Sequence, residues 1–274
     1  MGMKEADSVE IISLVDNSID FLSSINQKDV HSLSKWSKNR SEMPKAEHGF
    51  SMLIRVFSEG KSHLILFDTG CSSDGAVRNA ECLGVNLKEV ECIVLSHGHY
   101  DHFGGLLSIL EAIDKPNLPL IIHEDMFKTR GEGSQELIHI YPSFPSKEEL
   151  KAAHLISTKQ PQLFINDLLL VTGEIPRETT FESGYVKHKA LEGKNWNPDP
   201  WILDDRAIAI HVRGKGLVVV CGCAHAGIIN TIRYVQKITA VSDVYAVLGG
   251  FHLGGKVNEG KIKQTVGRVA TDKS

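Results

Sequence analysis

Metal-binding side chains are concentrated in one short segment of this sequence. Three imidazoles and one carboxylate lie within six residues, directly after an apolar run that ends at Leu95: His97, His99, Asp101 and His102. Histidines two apart can point to the same side of an extended segment, whereas adjacent Asp101 and His102 must point apart. The spacing therefore predicts two metal ions about 3.5–4 Å apart. One would be held by His97 and His99, and the other by Asp101 and His102.

Two further histidines follow predicted strands later in the chain. His225 comes shortly after the apolar run 217–220, and His252 follows the run 244–248. Because the carboxyl ends of strands in an α/β sheet line one crevice, we expect both imidazoles near the first cluster. The expected ligand sets are therefore His97, His99 and His225 for one ion, and Asp101, His102 and His252 for the other.

The elements that must position these residues follow from the hydrophobic pattern. Strands are predicted at 9–15, 52–57, 63–67, 92–95, 119–122, 163–172, 206–212, 217–220 and 244–248, and helices at 73–84, 106–113 and 228–238. Residues 124–160 show no regular pattern, and Arg130, Lys147 and Lys151 within them are candidate phosphate contacts. A loop rich in Asn and Pro is expected around Trp196 and Trp201, which would pack it onto the protein. Strands that alternate with helices in two successive halves predict an α+β fold, a four-layer αββα sandwich.

The chain also carries motifs of a known family. The segment His-x-His-x-Asp-His, together with segments 47–51, 66–70, 222–227 and 249–253, resembles the metallo-β-lactamase superfamily. Within it, the sequence is similar to the branch of the archaeal 7,8-dihydropterin-6-methyl-4-(β-D-ribofuranosyl)-aminobenzene 5′-phosphate synthase and to metal-dependent hydrolases. The resemblance covers residues 9–253. It implies one αββα domain over 1–274, with its core at 9–253. Residues 254–274 would be a polar tail that looks shortened relative to the family. Within this tail, residues 260–266 could form only a poor substitute for a missing last strand.

The resemblance implies roles for individual residues. A water or hydroxide between two divalent ions would be the nucleophile, and Asp101 would be the catalytic residue that orients it. Asp68 would accept a hydrogen bond from a ligand imidazole, and His48 would contact a substrate phosphate. Asp68 also opens an Asp-Thr-Gly triplet, the signature of aspartic proteases, but those enzymes need two copies and this chain has one.

Two family features are absent from the sequence. It has no Gly-His-Thr-Pro-Gly-His segment, and Gly222-Cys223 stands where a Gly-Asp with a bridging carboxylate is expected. We therefore assign His225 as the third imidazole, with Cys223 as a further candidate ligand and Asp205 as another candidate carboxylate. A thiolate favours Zn²⁺, whereas a site of oxygen and nitrogen ligands accepts Mn²⁺ or Mg²⁺. The expected cofactors are two divalent ions, with zinc first.

Three functions are compatible with these residues. The first is a dinuclear hydrolase that cleaves a phosphoester or similar bond of a small, phosphorylated substrate. The second, implied by the resemblance, is a transferase that joins a dihydropterin-methyl diphosphate to an aminobenzene ribose phosphate and releases pyrophosphate. The third is a metal-binding scaffold without catalysis.

The composition and net charge of the chain limit the classes of binding partner and the cellular location that we expect. The 274 residues carry a net charge of −4 and a pI near 6.4, so no general field attracts nucleic acid or an anionic membrane. No apolar run has the length of a signal sequence or a membrane span, which predicts a cytoplasmic protein. Five cysteines, an odd number, indicate reduced thiols. An edge left open by a missing strand would favour a homo-oligomer.

Overall fold

The computed structural model describes residues 1–23, 27–36, 42–134 and 137–271, and all elements below belong to these residues. The strands are β1 (Glu5–Ala6), β2 (Ser8–Val15), β3 (Ser51–Ser58), β4 (Lys61–Phe67), β5 (Val90–Val94), β6 (Leu118–Ile122), β7 (Arg130–Gly133), β8 (Ile138–Ile140), β9 (Ala153–Ser157), β10 (Gln162–Phe164), β11 (Leu169–Val171), β12 (His188–Glu192), β13 (Asn195–Pro198), β14 (Ala207–Val212), β15 (Gly216–Cys221) and β16 (Val244–Leu248). The helices are α1 (Leu33–Trp36), α2 (Gly75–Cys82), α3 (Tyr100–Phe103), α4 (Leu106–Ile113), α5 (Ile228–Thr239) and α6 (Glu259–Thr271).

The first large sheet has the order β2-β3-β4-β5-β6-β9. Strands β2, β3 and β4 pair antiparallel, and β4, β5, β6 and β9 pair parallel. The predicted hairpin is present: Glu59 and Gly60 join β3 to β4 with φ of 51° and 74°, as a tight hairpin turn requires. The parallel part places the ends of β4 and β5 side by side, and Asp68 and His97 follow those two ends.

The second large sheet has the order β10-β11-β14-β15-β16, with β1 beside β14. Strands β15 and β16 are parallel and are joined through α5, so the loops after both strands open on the same edge. His225 and His252 lie in these loops.

Three apolar cores separate four layers. The faces of the two large sheets pack against each other in one apolar core, which contains Ile65 and Phe67 of β4 together with Ile208 and Val220 of the second sheet. The outer face of the first sheet is covered by α2 and α4, and the outer face of the second by α5. Strand β15 is buried on both faces, which explains its continuous apolar run; each such side chain contributes about 1.5–3 kcal/mol by burial. The predicted αββα sandwich is confirmed.

A third, four-stranded sheet was not predicted. Its order is β13-β12-β7-β8, and it contains part of the stretch 124–160 and the segment around Trp196 that we expected to be a loop. Its strands are short, and Gly131, Gly133 and Pro198 within them obscured the alternating pattern. The strand expected at 163–172 is also wrong, because positive φ values at residues 165–167 turn the chain between β10 and β11.

The last segment differs from the expected polar tail. Residues 259–271 form α6, which packs against α5 and buries Thr265. A strand-like segment at 260–266 is therefore wrong, since its lysines and glutamine are good helix formers. Residues 272–274 of the predicted tail lie outside the described residues. Among the helices described, none has the length and apolar character needed to cross a membrane.

Candidate metal centre

The predicted ligands lie in loops at one edge of the two large sheets. His97 to His102 follow β5, Cys223 and His225 follow β15, and His252 follows β16. Three residues of these edge loops have left-handed backbones without being glycine: Asp68, Ala224 and His252, with φ of 59°, 52° and 47°. Backbone strain of this kind is concentrated at functional sites.

The side chains of these loops converge in three overlapping groups. In each group, one nitrogen or sulfur from every member lies within 4.8 Å of the others. The groups are His97 with His99 and His225, His97 with His102 and Cys223, and Cys223 with His225 and His252. The first of them is the trio that the sequence assigned to one ion.

The protonation of His97 follows from its partners. Burial and the neighbouring imidazoles lower the pKa of His97 well below its usual range, so the ring is neutral. The Ser96 hydroxyl donates to Asp68 Oδ2 at 2.7 Å and lies 2.9 Å from His97 Nδ1. Since that hydroxyl proton is engaged, Ser96 Oγ accepts from His97 Nδ1–H. The lone pair of His97 is therefore on Nε2, which faces His99 Nδ1 at 3.0 Å.

His102 bonds directly to Asp68. Its Nδ1 donates to Asp68 Oδ2 at 2.6 Å, and its Nε2 lies 3.1 Å from Cys223 Sγ. Burial lowers the pKa of His102, but Cys223 and Asp68 outweigh burial and raise it well above its usual range. Without metal, His102 thus carries a proton on Nε2. An ion at that position would have to displace this proton, so metal binding there releases acid.

Cys223 occupies a more central position among the possible metal ligands than the sequence indicated. It belongs to two of the three groups, between His102 on one side and His225 and His252 on the other. Burial raises the pKa of the Cys223 thiol, and the charge and hydrogen bond of His102 act in the opposite direction. A coordinating metal deprotonates a thiol outright.

Asp101 lies at the same edge but in none of the three groups. Its Oδ2 is 3.5 Å from His102 Nε2 and 3.4 Å from Nε2 of His48, whose side chain is 71% exposed. Burial raises the pKa of Asp101, but the hydrogen bond from His102 and its charge outweigh burial and lower the pKa to about 2. Asp101 is therefore ionised at neutral pH, with His48 beside it at the rim.

Several sequence candidates lie away from these groups. Asp205 Oδ2 accepts a hydrogen bond from the backbone N–H of Ala226. Asp205 Oδ1 lies 4.0 Å from His97 Nδ1, which is the nitrogen of His97 that faces away from the other ligands. Lys147 lies over the ring of Phe127, and Lys151 pairs with exposed Glu148. None of these positions supports the roles suggested for them.

Arg130 is not a free phosphate contact, because it is buried in an ion pair. Its guanidinium donates to Asp204 at 2.8 and 2.5 Å, and Asp204 also accepts from the backbone N–H of Gly98 at 2.7 Å. A Cβ on Gly98 would lie 2.8 Å from Arg130 Nη1 and from Met126 Cα. Glycine is thus required here, and the ion pair fixes the backbone between His97 and His99.

Sequence reasoning missed His188 on β12. This side chain is fully buried, and its Nε2 lies 2.9 Å from His99 Nε2. His188 belongs to no motif and to no segment with a clear strand pattern, so the sequence does not mark it as a site residue. Only the third sheet brings it next to His99.

The donor set fits divalent metal ions. His225 Nε2 is buried and, among the described residues, has no hydrogen-bond partner. Burial and nearby His252 lower the pKa of His225 well below its usual range, so it is neutral. Neutral imidazoles together with a thiol and a carboxylate are ligands suited to zinc and related ions.

Asp68 offers a first test of this arrangement. It is fully buried and accepts from Ser96 N, Ser96 Oγ and His102 Nδ1. In Asp68→Asn an amide N–H₂ replaces one oxygen and faces a donor, so we expect the free energy of unfolding in urea to fall by about 1–3 kcal/mol for each donor left unsatisfied. Exposed Asp114 also has a left-handed backbone, with φ of 53°, so Asp114→Asn controls for strain. Equal losses in both variants would contradict the role of the hydrogen bonds.

Comparisons with known proteins agree with the resemblance expected from the sequence. The profile of the metallo-β-lactamase superfamily matches residues 45–235. The 7,8-dihydropterin-6-methyl-4-(β-D-ribofuranosyl)-aminobenzene-5′-phosphate synthase of Methanocaldococcus jannaschii is 33% identical over 223 residues, 78% of this chain and 74% of that protein. An uncharacterized protein of the same organism is 36% identical over 212 residues, 77% and 74% of the two chains. A solved metal-dependent hydrolase of the β-lactamase superfamily shares the fold with a TM-score of 0.71 and 22% identity, over 97% of this chain and 84% of that one.

Proposed function

Because the chain belongs to the metallo-β-lactamase superfamily, we propose that it is a dinuclear metal-dependent hydrolase that cleaves a phosphoester or similar bond of a small molecule. The observation that carries this proposal is the convergence of His97, His99 and His225. Their rings are neutral, and one nitrogen from each lies within 4.8 Å of the others. Lone pairs brought this close repel one another unless a proton or a metal ion lies between them.

The ligands divide into two sets. His97, His99 and His225 would hold one ion, and Asp101, His102 and His252 the other. Cys223 would be a ligand between the sets, and its sulfur makes Zn²⁺ the expected metal ahead of Mn²⁺ or Mg²⁺. When bound, the ions supply positive charge that stabilises a phosphoryl or leaving oxygen and activates water for attack.

The protein's own residues hold protons and orient the reactants. Asp101 keeps an ionised carboxylate at neutral pH, because its pKa is about 2, so it can accept a hydrogen bond from the attacking group and orient it. His48 lies 3.4 Å from Asp101 and is mostly exposed, where it can meet a substrate phosphate. Asp68 holds the His102 ring in place through the 2.6 Å hydrogen bond to Nδ1.

A second candidate is transfer to an amine in place of water. It is favoured by the 33% identity to the Methanocaldococcus jannaschii synthase. In that reaction a dihydropterin-methyl diphosphate would lose pyrophosphate to an aminobenzene ribose phosphate. The same ligand sets would serve, because both reactions place negative charge on a leaving oxygen.

An assay with separated substrates distinguishes these functions. The zinc-loaded protein is incubated with a generic phosphodiester, and separately with the pterin diphosphate with and without the arylamine. Hydrolysis of the diester, lost with a chelator and reduced about 10²–10⁴-fold in Asp101→Asn, is the expected result. Pyrophosphate release that requires the arylamine would replace the hydrolase by the transferase. Metal binding without turnover of any of these substrates would contradict both and favour a scaffold.

A further inference from the structure

His188 is the buried histidine next to His99 that no motif contains. Its Nδ1 lies 2.7 Å from the backbone carbonyl oxygen of Asp199, and its Nε2 lies 2.9 Å from His99 Nε2. The residue is fully buried. It stands on β12 of the third sheet, where β12 pairs with β7 next to Arg130.

The partners fix the tautomer of His188. A carbonyl oxygen only accepts hydrogen bonds, so His188 Nδ1 must carry the proton that it donates to Asp199. Its other nitrogen, Nε2, lies 2.9 Å from His99 Nε2, so one proton lies between the two rings.

The two nitrogens of His99 have different neighbours. Nδ1 lies 3.0 Å from His97 Nε2, toward the trio with His225, and Nε2 lies 2.9 Å from His188 Nε2. A metal ion held by the trio would take the lone pair of His99 Nδ1, which leaves the one proton of that ring on Nε2, where it is donated to His188.

We propose that His188 is a positioning residue that fixes His99 as the Nε2–H tautomer and so presents His99 Nδ1 to the metal ion. The chain of hydrogen bonds runs from His99 Nε2–H to His188 Nε2, and from His188 Nδ1–H to the Asp199 carbonyl. With metal bound, the opposite tautomer of His99 would direct an N–H at the ion and place two lone pairs against each other at His188. Ligand histidines are commonly oriented through their second nitrogen in this manner.

The first variant removes the acceptor. In His188→Leu, we expect the affinity for one of the two Zn²⁺ ions to fall about 10–100-fold, as measured by competition with a chelator, while the other is retained. In the zinc-loaded variant, nitrogen NMR of the imidazoles should show that the Nε2–H of His99 has lost its hydrogen bond. His154→Leu, at an exposed histidine, is the matched control and should change neither quantity.

A second variant separates the hydrogen bond from packing. Glutamine carries an acceptor oxygen near the position of Nε2, so His188→Gln should restore most of the affinity and the hydrogen bond of His99 Nε2–H, even if His188→Leu unfolds. Equal losses of affinity in the leucine and glutamine variants, with the His99 nitrogen shifts unchanged, would overturn the proposal. So would a zinc-loaded wild type in which His99 carries its proton on Nδ1.

This inference rests on the metal centre of the proposed function, but its test does not require turnover. The tautomer of His99 is measured in the zinc-loaded chain, and both the tautomer and the affinity are measured without substrate. A protein that binds zinc and hydrolyses no phosphodiester would contradict the hydrolase and leave the role of His188 standing. The reverse result, turnover that survives in a wild type with the wrong His99 tautomer, would overturn only the role of His188.

Discussion

Replacing His97 and His99 together by alanine should remove at least one of two bound metal ions per chain and lower turnover more than about 100-fold, beyond the loss typical of residues that only support a ligand. The variant deletes two of the three neutral imidazoles that meet with His225. It leaves His102, Cys223 and His252 in place, so the second ion should be bound more weakly but not lost. Elemental analysis after exhaustive dialysis measures the metal content.

Two exposed histidines supply the control. His31 and His154 are outside the centre and exposed, so the double variant His31→Ala, His154→Ala should keep full metal content and turnover. If the His97 and His99 variant retained the wild-type metal content, these residues would not be ligands. This conclusion would hold even if the variant had lost its turnover, because a ligand role requires a change in metal content.

Replacing Arg130 by methionine should lower the free energy of unfolding by about 3–5 kcal/mol, the cost of leaving one buried charge without its partner. The guanidinium is 2% exposed, and the carboxylate of Asp204 that it binds is fully buried. After the change, the backbone N–H of Gly98 would be the remaining donor shown for that carboxylate. Urea denaturation of the metal-free protein measures the loss.

An ion pair at the surface serves as the control for the buried pair of Arg130 and Asp204. Arg55 donates to Glu89 at 2.9 Å, with side chains 27% and 47% exposed, so Arg55→Met should cost no more than about 1 kcal/mol. Equal costs for Arg130→Met and Arg55→Met would mean that the buried pair does not hold the loop between His97 and His99.

The dependence of stability on pH should also change at this pair. Burial raises the pKa of Asp204, but Arg130 outweighs burial and holds that pKa well below its usual range. Because the folded pKa is depressed, the stabilisation is complete above the unfolded pKa of about 3.9 and is lost as pH falls from there through the folded pKa. In Arg130→Met burial without the arginine raises the pKa of Asp204 above its unfolded value, so the deficit relative to wild type should begin to shrink above pH ~4 and continue to shrink below it.

The metal-binding residues between 97 and 102 could be predicted from the sequence alone. His97, His99, Asp101 and His102 lie within one loop, so their spacing alone placed them at a strand end. His225 and His252 could be added because each follows an apolar run that had to be a buried strand. The αββα layers followed from the same apolar runs, since strands covered on both faces lose their polar alternation.

The parts that sequence reasoning missed depend on contacts between distant segments. Asp204 lies 74 residues from Arg130, and His188 lies 89 residues from His99. Both contacts require the third sheet, whose short strands contain Gly131, Gly133 and Pro198 and give no regular alternation. Nothing in the local sequence distinguishes a buried arginine from an exposed one, so Arg130 is no more than a candidate phosphate contact until the structure shows its ion pair with Asp204.

X-ray absorption at the zinc edge of the wild-type protein tests the metal centre most directly. After loading with Zn²⁺ and removal of excess metal, we expect about two ions per chain, with imidazole nitrogens at about 2.0–2.1 Å and a sulfur contribution near about 2.3 Å from Cys223. The sulfur signal should vanish in Cys223→Ser while the imidazole signal remains. A protein that retains no zinc, or zinc whose spectrum contains no imidazole scattering, would contradict the account.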